Sequence, residues 1–490
     1  MRLALLGSVS LAILAASPAL AKPASKPVSS AAILARLNAL EAKVNALENE
    51  NADLRHQLDD QKATVATIPS QVTTAVAQAA PPPPPPAPAP KPQTQTAWTV
   101  VPQFASPNGQ FTFKPRGTLE ADYAAFNERR GGYDYNNGTS FRRGRFGFDG
   151  TAFKQFAWRI EGEWVGGQAN LLDAYVAYTG VKNFTFTLGQ LKVPAGLEAN
   201  TSDSYNEFLE RGMANTAFGA VGGERRVGAT FAYANQLVTA TAGIYGAGEA
   251  VGRNATTPDE VWGYNGRVTL EPINYAGHLL HVGASAYHVV DLAANTVTLG
   301  DRPNVRVDGG NLESVTITGG VSATGVKSGV KDATFYGLEA AGILGPFSVQ
   351  GEYSHMHLDR YLAAPSLNFD GFYVYGSVFL TGESRSFKNG TVDRLRPTRA
   401  FDPSKGYYGA VELAVRYDRL DLTDRALSPL GREGHSWTGA VNWYLNGNMK
   451  LMFNYIRFTG ENSPLVAAPV SINGTTAKGD AFATRLHFDF

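Results

Sequence analysis

The chain has 490 residues, no cysteine, and 43 basic side chains balanced by 43 acidic ones. The missing cysteines exclude disulfides and thiolate metal sites, and the balanced charge gives no sign of a nucleic-acid partner. Mean hydropathy is −0.18, which argues against a helical membrane protein, and no segment has the 18 or so unbroken apolar residues of a spanning helix.

Residues 1–21 read as a secretory signal. Arg2 is the positive start, Leu3 to Leu14 form a short apolar core, and Ala19-Leu20-Ala21 is a small-x-small cleavage site. The mature chain is expected to begin at Lys22. An exported chain of this kind is periplasmic, secreted or a barrel.

Residues 30–68 carry a heptad seam. Ile33, Leu37, Leu40, Val44, Leu47, Asn51, Leu54 and Leu58 are spaced alternately by four and three, and Val65 and Ile68 keep the register up to Pro69. The a positions are Leu37, Val44, Asn51 and Leu58, and the d positions are Ile33, Leu40, Leu47 and Leu54. This predicts a coiled coil in the periplasm, with another copy of the chain as the simplest partner. The other reading is an amphipathic helix packed on a second domain. Residues 69–109 form a Pro/Ala-rich linker. Six consecutive prolines from Pro81 to Pro86 predict an extended, semi-rigid spacer.

Residues 110–490 read as strands with glycine-rich turns between them. Trp158, Ile160, Gly162 and Trp164 alternate with Arg159, Glu161 and Glu163. Leu172, Ala174, Val176 and Tyr178 alternate with Asp173 and Tyr175, and Val411, Leu413, Val415 and Tyr417 with Glu412, Ala414 and Arg416. Asn446-Gly447-Asn448 marks a tight hairpin on the periplasmic side. The last strand sets Phe482, Leu486, Phe488 and Phe490 against Arg485, His487 and Asp489, and ends on an aromatic. An apolar face opposite a charged one suits a membrane β-barrel wall, whereas a soluble sandwich would need the apolar face covered. The fold class is an all-β transmembrane barrel of 16 antiparallel strands, with 18 as the fallback, preceded by the helical coiled coil. Sixteen strands predict an aqueous lumen.

Parity places Arg143, Arg145, Arg159, Arg226, Arg267 and Arg416 inside, with Lys450 and Arg485 toward the closing strands. Asp149, Glu161, Glu163, Asp173, Glu412 and Asp489 also fall inside. Two readings of the arginines stand side by side. They avoid lipid and pair with lumen acids, or they form a track that binds anions by forked hydrogen bonds. The stretch from Pro194 to Gly223 lacks alternation and sits between good strands. Folded into the lumen, it would bring Glu198, Thr201, Ser202, Asp203, Glu207, Glu210 and Arg211 to the solute; otherwise it is an ordinary external loop.

No GxSxG or HExxH motif supports a barrel enzyme. His355 and His357 share one parity but have no clear third ligand. No cofactor or metal is expected.

Several stretches then point to one family. They are Phe141 to Gly150, Trp158 to Glu163 and Asp173 to Val176; Gly189 to Pro194 with Gly196, Leu197, Glu198, Thr201, Ser202, Phe208, Glu210 and Arg211; and Arg225-Arg226. Further on come Leu380 to Glu383, Gly409 to Leu413, Arg416-Tyr417, Asn442 to Asn446 and Asn454-Tyr455. In this order and spacing, residues 110–490 resemble the phosphate-selective porin O/P family of Gram-negative outer membranes. The resemblance implies a trimeric barrel with an inward-folded third loop and an arginine-lined route for phosphate or other anions. It makes Arg142, Arg143 and Arg145 candidate anion ligands, with Lys192 and Arg211 near the constriction. Arg142 shares the parity of Phe146 and Phe148, so either a bulge resets the face or Arg142 sits at the rim. The balanced charge departs from the cationic excess expected of a phosphate-specialised member.

The expected function is passive diffusion of small solutes, anions such as phosphate foremost, through an outer-membrane channel. The alternative is a weakly selective porin that also tethers the membrane to the cell wall. The expected partners are two further copies, outer-membrane lipid, small anions, and peptidoglycan or another periplasmic component.

Overall fold

The computed structural model describes residues 38, 41–62, 95–98, 100–130, 134–219, 221, 223–246, 261–292, 295–428, 431–462 and 476–490. The chain divides into two compact units, residues 1–91 and residues 92–490. The expected signal segment lies outside the described residues, as do the run of prolines and the seam residues Ile33, Leu37, Leu40, Val65 and Ile68.

In the first unit, residues 41–62 form one helix, α1. Its Ala, Leu and Glu residues, three of each, lose little rotamer freedom in a helix. Val44, Leu47, Leu54 and Leu58 stand at least half exposed along one side. Asn51 lies on the same seam, where its Oδ1 accepts a hydrogen bond from Arg55 Nε at 3.1 Å.

The second unit is a closed barrel. Its strands are β1 Thr112–Arg130, β2 Gly138–Ala152, β3 Phe156–Glu163, β4 Asn170–Tyr178, β5 Phe184–Lys192, β6 Arg225–Ala234, β7 Val238–Tyr245 and β8 Trp262–Tyr275. They continue as β9 His278–Val290, β10 Val330–Leu344, β11 Phe347–Arg360, β12 Leu367–Phe379, β13 Ala410–Asp421, β14 Glu433–Tyr444, β15 Met449–Glu461 and β16 Thr476–Asp489. Each pairs antiparallel with the next, and β16 closes on β1 from Asp489 opposite Thr118 to Lys478 opposite Arg130. The expected 16 strands are there. A short antiparallel pair, Gln95–Trp98 and Pro102–Ala105, leans on the start of β1 through Phe104 opposite Phe113.

Alternation sets the two faces. On β16, Arg485 and His487 are 2% exposed, while Phe482 and Phe488 are 47% and 37% exposed on the outer, lipid-facing side. Burying the charges inside is the cheap arrangement, because a charge facing lipid at mid-membrane costs about 2–4 kcal/mol. Register shifts interrupt five strand pairs among the described residues, and two of them change a face that simple alternation assigns. Glu120 pairs with Arg143 and Ala121 with Phe141, so Arg142 is the extra residue and turns inward. Glu161 pairs with Asp173 and Gly162 with Leu171, so Leu172 is the extra residue. Leu172 therefore leaves the lipid-facing set in which simple alternation places it.

Short turns gather at one rim, which is the periplasmic one in barrels of this kind. The β14–β15 turn is there as expected but has four residues, 445–448, in place of a two-residue Asn-Gly turn. Asn446 Oδ1 accepts from the backbone N–H of Asn448 at 2.8 Å and shapes it.

Three inserts enter the lumen and narrow it. Between β5 and β6, residues 193–224 carry α2 Leu197–Asn200, a 3-10 turn Asp203–Tyr205 and α3 Met213–Gly219. Between β9 and β10, a hairpin pairs Val297–Asp301 with Glu313–Ile317. Between β12 and β13, residues 380–409 hold a small strand pair, Ser386–Lys388 with Thr391–Asp393. Met213 and Phe218 of α3 pack with Leu299 and Leu312 of the hairpin against Phe335, Met356, Phe369, Leu420 and Ile456 of the wall. One side of the lumen is thus a packed apolar core. The parity argument fails there, because Met356 and Leu358 point inward.

The hairpin has a pH-sensitive seat. Gly434 and Gly460 face each other across β14 and β15, and the Glu313 side chain occupies the notch they leave. A Cβ on Gly460 would lie 2.6 Å from Glu313 Oε1. Neither carboxyl oxygen of Glu313 has a hydrogen-bond partner among the described residues. Burial pushes the carboxyl up to about 9, against the pull of Arg432, and Glu461 and Glu433 add to the rise. The docked hairpin therefore holds a proton that a released hairpin gives up. Docking is strongest below the ordinary carboxylate pKa of about 4.3 and weakens as pH rises toward 9. Conductance of the native channel is expected to rise between pH 7 and 9, and that of Glu313→Gln to stay flat. A flat native profile in planar bilayers would remove Glu313 as the cause.

Candidate functional site: a cationic cavity beside the inserts

The bulge at Arg142 sets three arginines in one small area. Arg142 forks onto Glu210 at 2.7 and 3.0 Å. Arg143 bonds Glu120 and lies 3.1 Å from Asp203. Arg145 bridges Glu163 at 3.0 Å and Asp203 at 2.8 Å. From the insert, Arg211 reaches Asp203 at 2.5 Å and Glu224 at 3.1 Å, and Lys192 reaches Glu224 at 3.0 Å. These groups border a cavity of about 330 Å³ between the first insert and the wall from β2 to β9. Its lining holds eight cationic side chains and four carboxylates: Arg142, Arg143, Arg145, Lys192, Arg211, Arg225, Arg226 and Arg306 against Glu163, Asp203, Glu210 and Glu224.

Two insert carboxylates on the cavity, Asp203 and Glu210, are held in the ionised form. Burial works to raise Asp203, but Arg143, Arg211 and Arg145 outweigh it and hold it well below the usual range. Burial likewise opposes Arg142, Arg485 and Arg306 at Glu210, and again the arginines win. An anion entering the cavity would meet cations that already have partners. It competes with resident carboxylates, which favours binding weak enough for release.

The other expected residues anchor the inserts. Arg416 is fully buried; it donates to Glu210 O at 2.9 Å, lies 3.5 Å from Glu198 and stacks over the Phe208 ring at 4.5 Å. Burial raises the Glu198 carboxyl to about 7 against the pull of Arg416, with Glu352 adding to the rise. Glu207 pairs with Arg385, which also binds Glu412. Arg267 binds Glu339 and donates to Gly390 O at 2.7 Å, so it holds the third insert. Thr201 is buried, and Ser202 is exposed and caps the 3-10 turn. Glu198, Thr201, Ser202, Glu207, Arg267 and Arg416 do not border the cavity. Arg159 faces inward 3.8 Å from both Asp149 and Asp173. Arg226 does border the cavity and donates to the carbonyls of Gly246 and Val261 at 2.6 and 2.7 Å.

The wall also caps the insert. Glu352 of β11 accepts from the backbone N–H groups of Leu197 and Glu198, the exposed donors at the start of α2. Gly196 (φ 77°) permits this approach, since a Cβ there would lie 2.6 Å from Glu352 Oε1.

Sequence reasoning missed Glu120 and Asp122 of β1, Glu339 of β10 and Glu352 of β11, which follow the same inward alternation. Arg306 and Arg385 were not found either: Arg306 lies in the loop of the second insert's hairpin, where it reaches Glu210 at 3.0 Å, and Arg385 lies in the third insert. His355 and His357 sit on an outer face, where His355 Nδ1 meets Asp370 and His357 Nδ1 meets Asn368, both at 2.8 Å.

A closed 16-stranded barrel with an apolar exterior and charged constricting inserts defines a porin. Residues 113–490 match the model of the family "Phosphate-selective porin O and P", and the chain belongs to that family. It is similar to Porin O of Pseudomonas aeruginosa, at 29% identity over 428 residues, covering 79% of this chain and 90% of that one. It is 28% identical to an uncharacterized protein of Caulobacter vibrioides over 444 residues, 84% of each. Among solved structures, an anion-selective porin from Comamonas acidovorans aligns with a TM-score of 0.47 at 14% identity, covering 78% of this chain and 100% of that one. The chain is an outer-membrane porin, and family and fold point to a channel rather than to an enzyme.

Proposed function

We propose that this porin passes small anions, phosphate among them, by passive diffusion along the cationic cavity. The observation that carries the reading is the lining, with twice as many cations as carboxylates at the first insert. The name of the matching family, phosphate-selective, agrees with it. The test is the reversal potential of the purified channel in a planar bilayer under a KCl gradient. An anion-selective potential is expected, moving toward zero in Arg142→Ala/Arg211→Ala, with phosphate reducing the chloride current. Cation selectivity, or a current indifferent to phosphate and to both substitutions, would overturn it.

The exposed seam of α1 supports a second element of the reading, self-association in the periplasm with a homotrimer as the assembly. The family match begins after the helix and the linker, so it lends nothing to the tethering alternative.

A further inference from the structure

Three cations at the closing strands point away from the channel. Arg457 of β15 shares the outward parity of Phe453 and Tyr455, and Lys478 of β16 shares that of Phe482. Both are exposed and make no ion pair among the described residues. Arg129 of β1 joins them, because the register shift beside Gly479 leaves it as the extra residue. Asp480 stands directly opposite Arg457. It is taken by Arg129 and by the Tyr455 hydroxyl, which donates to it at 2.9 Å. The other acid on these outward faces is Glu461, at the far end of β15.

The short turns mark the opposite rim as periplasmic, so this cluster faces the outer leaflet. Arg457 lies eight residues beyond Met449. At about 3.4 Å per residue and a tilt of about 40°, that sets it about 20 Å up a lipid-facing band roughly 25 Å tall. This is interface depth, where an outward charge costs little. Below it, the same wall carries an open groove of about 480 Å³. Two cross-strand rows make the groove. In one, Thr484 stands between Phe453 and Tyr123; in the next, Ala121 stands between Leu486 and Phe141. A small side chain between two large ones leaves a trough, which steps from β16 to β1. Arg457 is four residues beyond Phe453, about 14 Å at the same rise, close to one leaflet's half of the ~30 Å hydrocarbon core.

We propose that this outward face binds a phosphate-bearing lipid of the outer leaflet, with the phosphate on Arg457, Lys478 and Arg129 and one acyl chain in the groove below. Free cations at the interface above an apolar trough match a lipid's head and chain in both chemistry and order. This site does not rest on the anion route inside the barrel.

The test is native mass spectrometry of the detergent-purified channel, titrated with phosphatidic acid or with phosphatidylcholine of the same chains. Phosphatidic acid is expected to reach half-occupancy at a concentration about tenfold lower. Each cation near a membrane surface supplies about fivefold, and Asp480 offsets part of the product. Arg457→Gln/Lys478→Gln should bring the two lipids within about twofold, with the heat-modifiable gel shift confirming a folded barrel. Ala121→Phe, which fills the trough, should weaken both lipids and keep their ratio. Equal binding of the two lipids by the native channel would overturn the proposal. So would a preference that survives the double substitution, or an affinity unchanged in Ala121→Phe. Displacement of bound phosphatidic acid by millimolar inorganic phosphate would make this a free-anion site and overturn it as well. The chain has no cysteine, so Phe141→Cys labels the groove alone. Protection from a membrane-soluble maleimide in the oligomer, lost in dissociated monomers, would give the groove to a second copy and overturn the lipid.

Discussion

Replacing residues 297–317 with a short glycine–serine bridge is expected to raise single-channel conductance several-fold while the barrel still assembles. The hairpin is a sheet of its own and contributes no pair to the wall, so the hydrogen-bond ladder that closes the barrel does not depend on it. What it contributes is volume. Leu299 and Leu312 are fully buried, and with Met213 and Phe218 of α3 they fill one side of the lumen. A bare sixteen-stranded barrel would carry water there. Removal leaves Met356, Phe369 and Leu420 facing water, at a cost of roughly 1.5–3 kcal/mol for each side chain fully exposed. The heat-modifiable gel shift of the folded barrel should therefore survive at a lower transition temperature. Unchanged conductance in an assembled barrel would show that ions never pass the packed side, leaving the cationic cavity as the whole path.

The barrel was legible in the sequence because a membrane wall imposes strict alternation. The pattern of Phe482, Leu486 and Phe488 against Arg485, His487 and Asp489 has no other comfortable home. The first insert was legible for the opposite reason, as a gap in alternation between good strands. The hairpin at 297–317 was not, because its own alternation of Val297, Leu299, Val315 and Ile317 reads like more wall. The third insert leaves no periodic trace, and its anchor Arg385 finds Glu207 and Glu412 only through the fold. Parity placed the arginines inside, yet it does not separate Arg145, on the cavity, from Arg416, sealed beneath the insert. That division depends on which carbonyls and carboxylates the inserts bring, and the alternation of a wall strand carries no record of them. Arg142 shows the same limit at one residue, since a single bulge reverses its face.

Arg485→Met is expected to cost the most stability of any single lumen substitution, about 3–5 kcal/mol, the usual effect of stranding a buried partner charge. Arg485 stands on the closing strand, 2% exposed. It forks onto Asp122 of β1 with two bonds of 2.7 Å and donates to Leu209 O at 2.5 Å and to Glu210 at 3.0 Å. One guanidinium thus joins both sides of the barrel seam to the first insert. Methionine fills similar volume but leaves Asp122 and Glu120 buried without that charge, and frees the Leu209 carbonyl. Arg485→Lys keeps the charge and loses the fork, so an intermediate loss is expected. Adding Asp122→Asn to Arg485→Met should restore part of the stability, because the stranded charge is then gone. The readouts are the unfolding temperature in detergent and the open-channel noise. Native stability in Arg485→Met would mean that the seam holds through its backbone ladder alone. Lower stability with an undisturbed, still selective current would mean that the insert keeps its place through Arg416 and Glu352 without help from the closing strand.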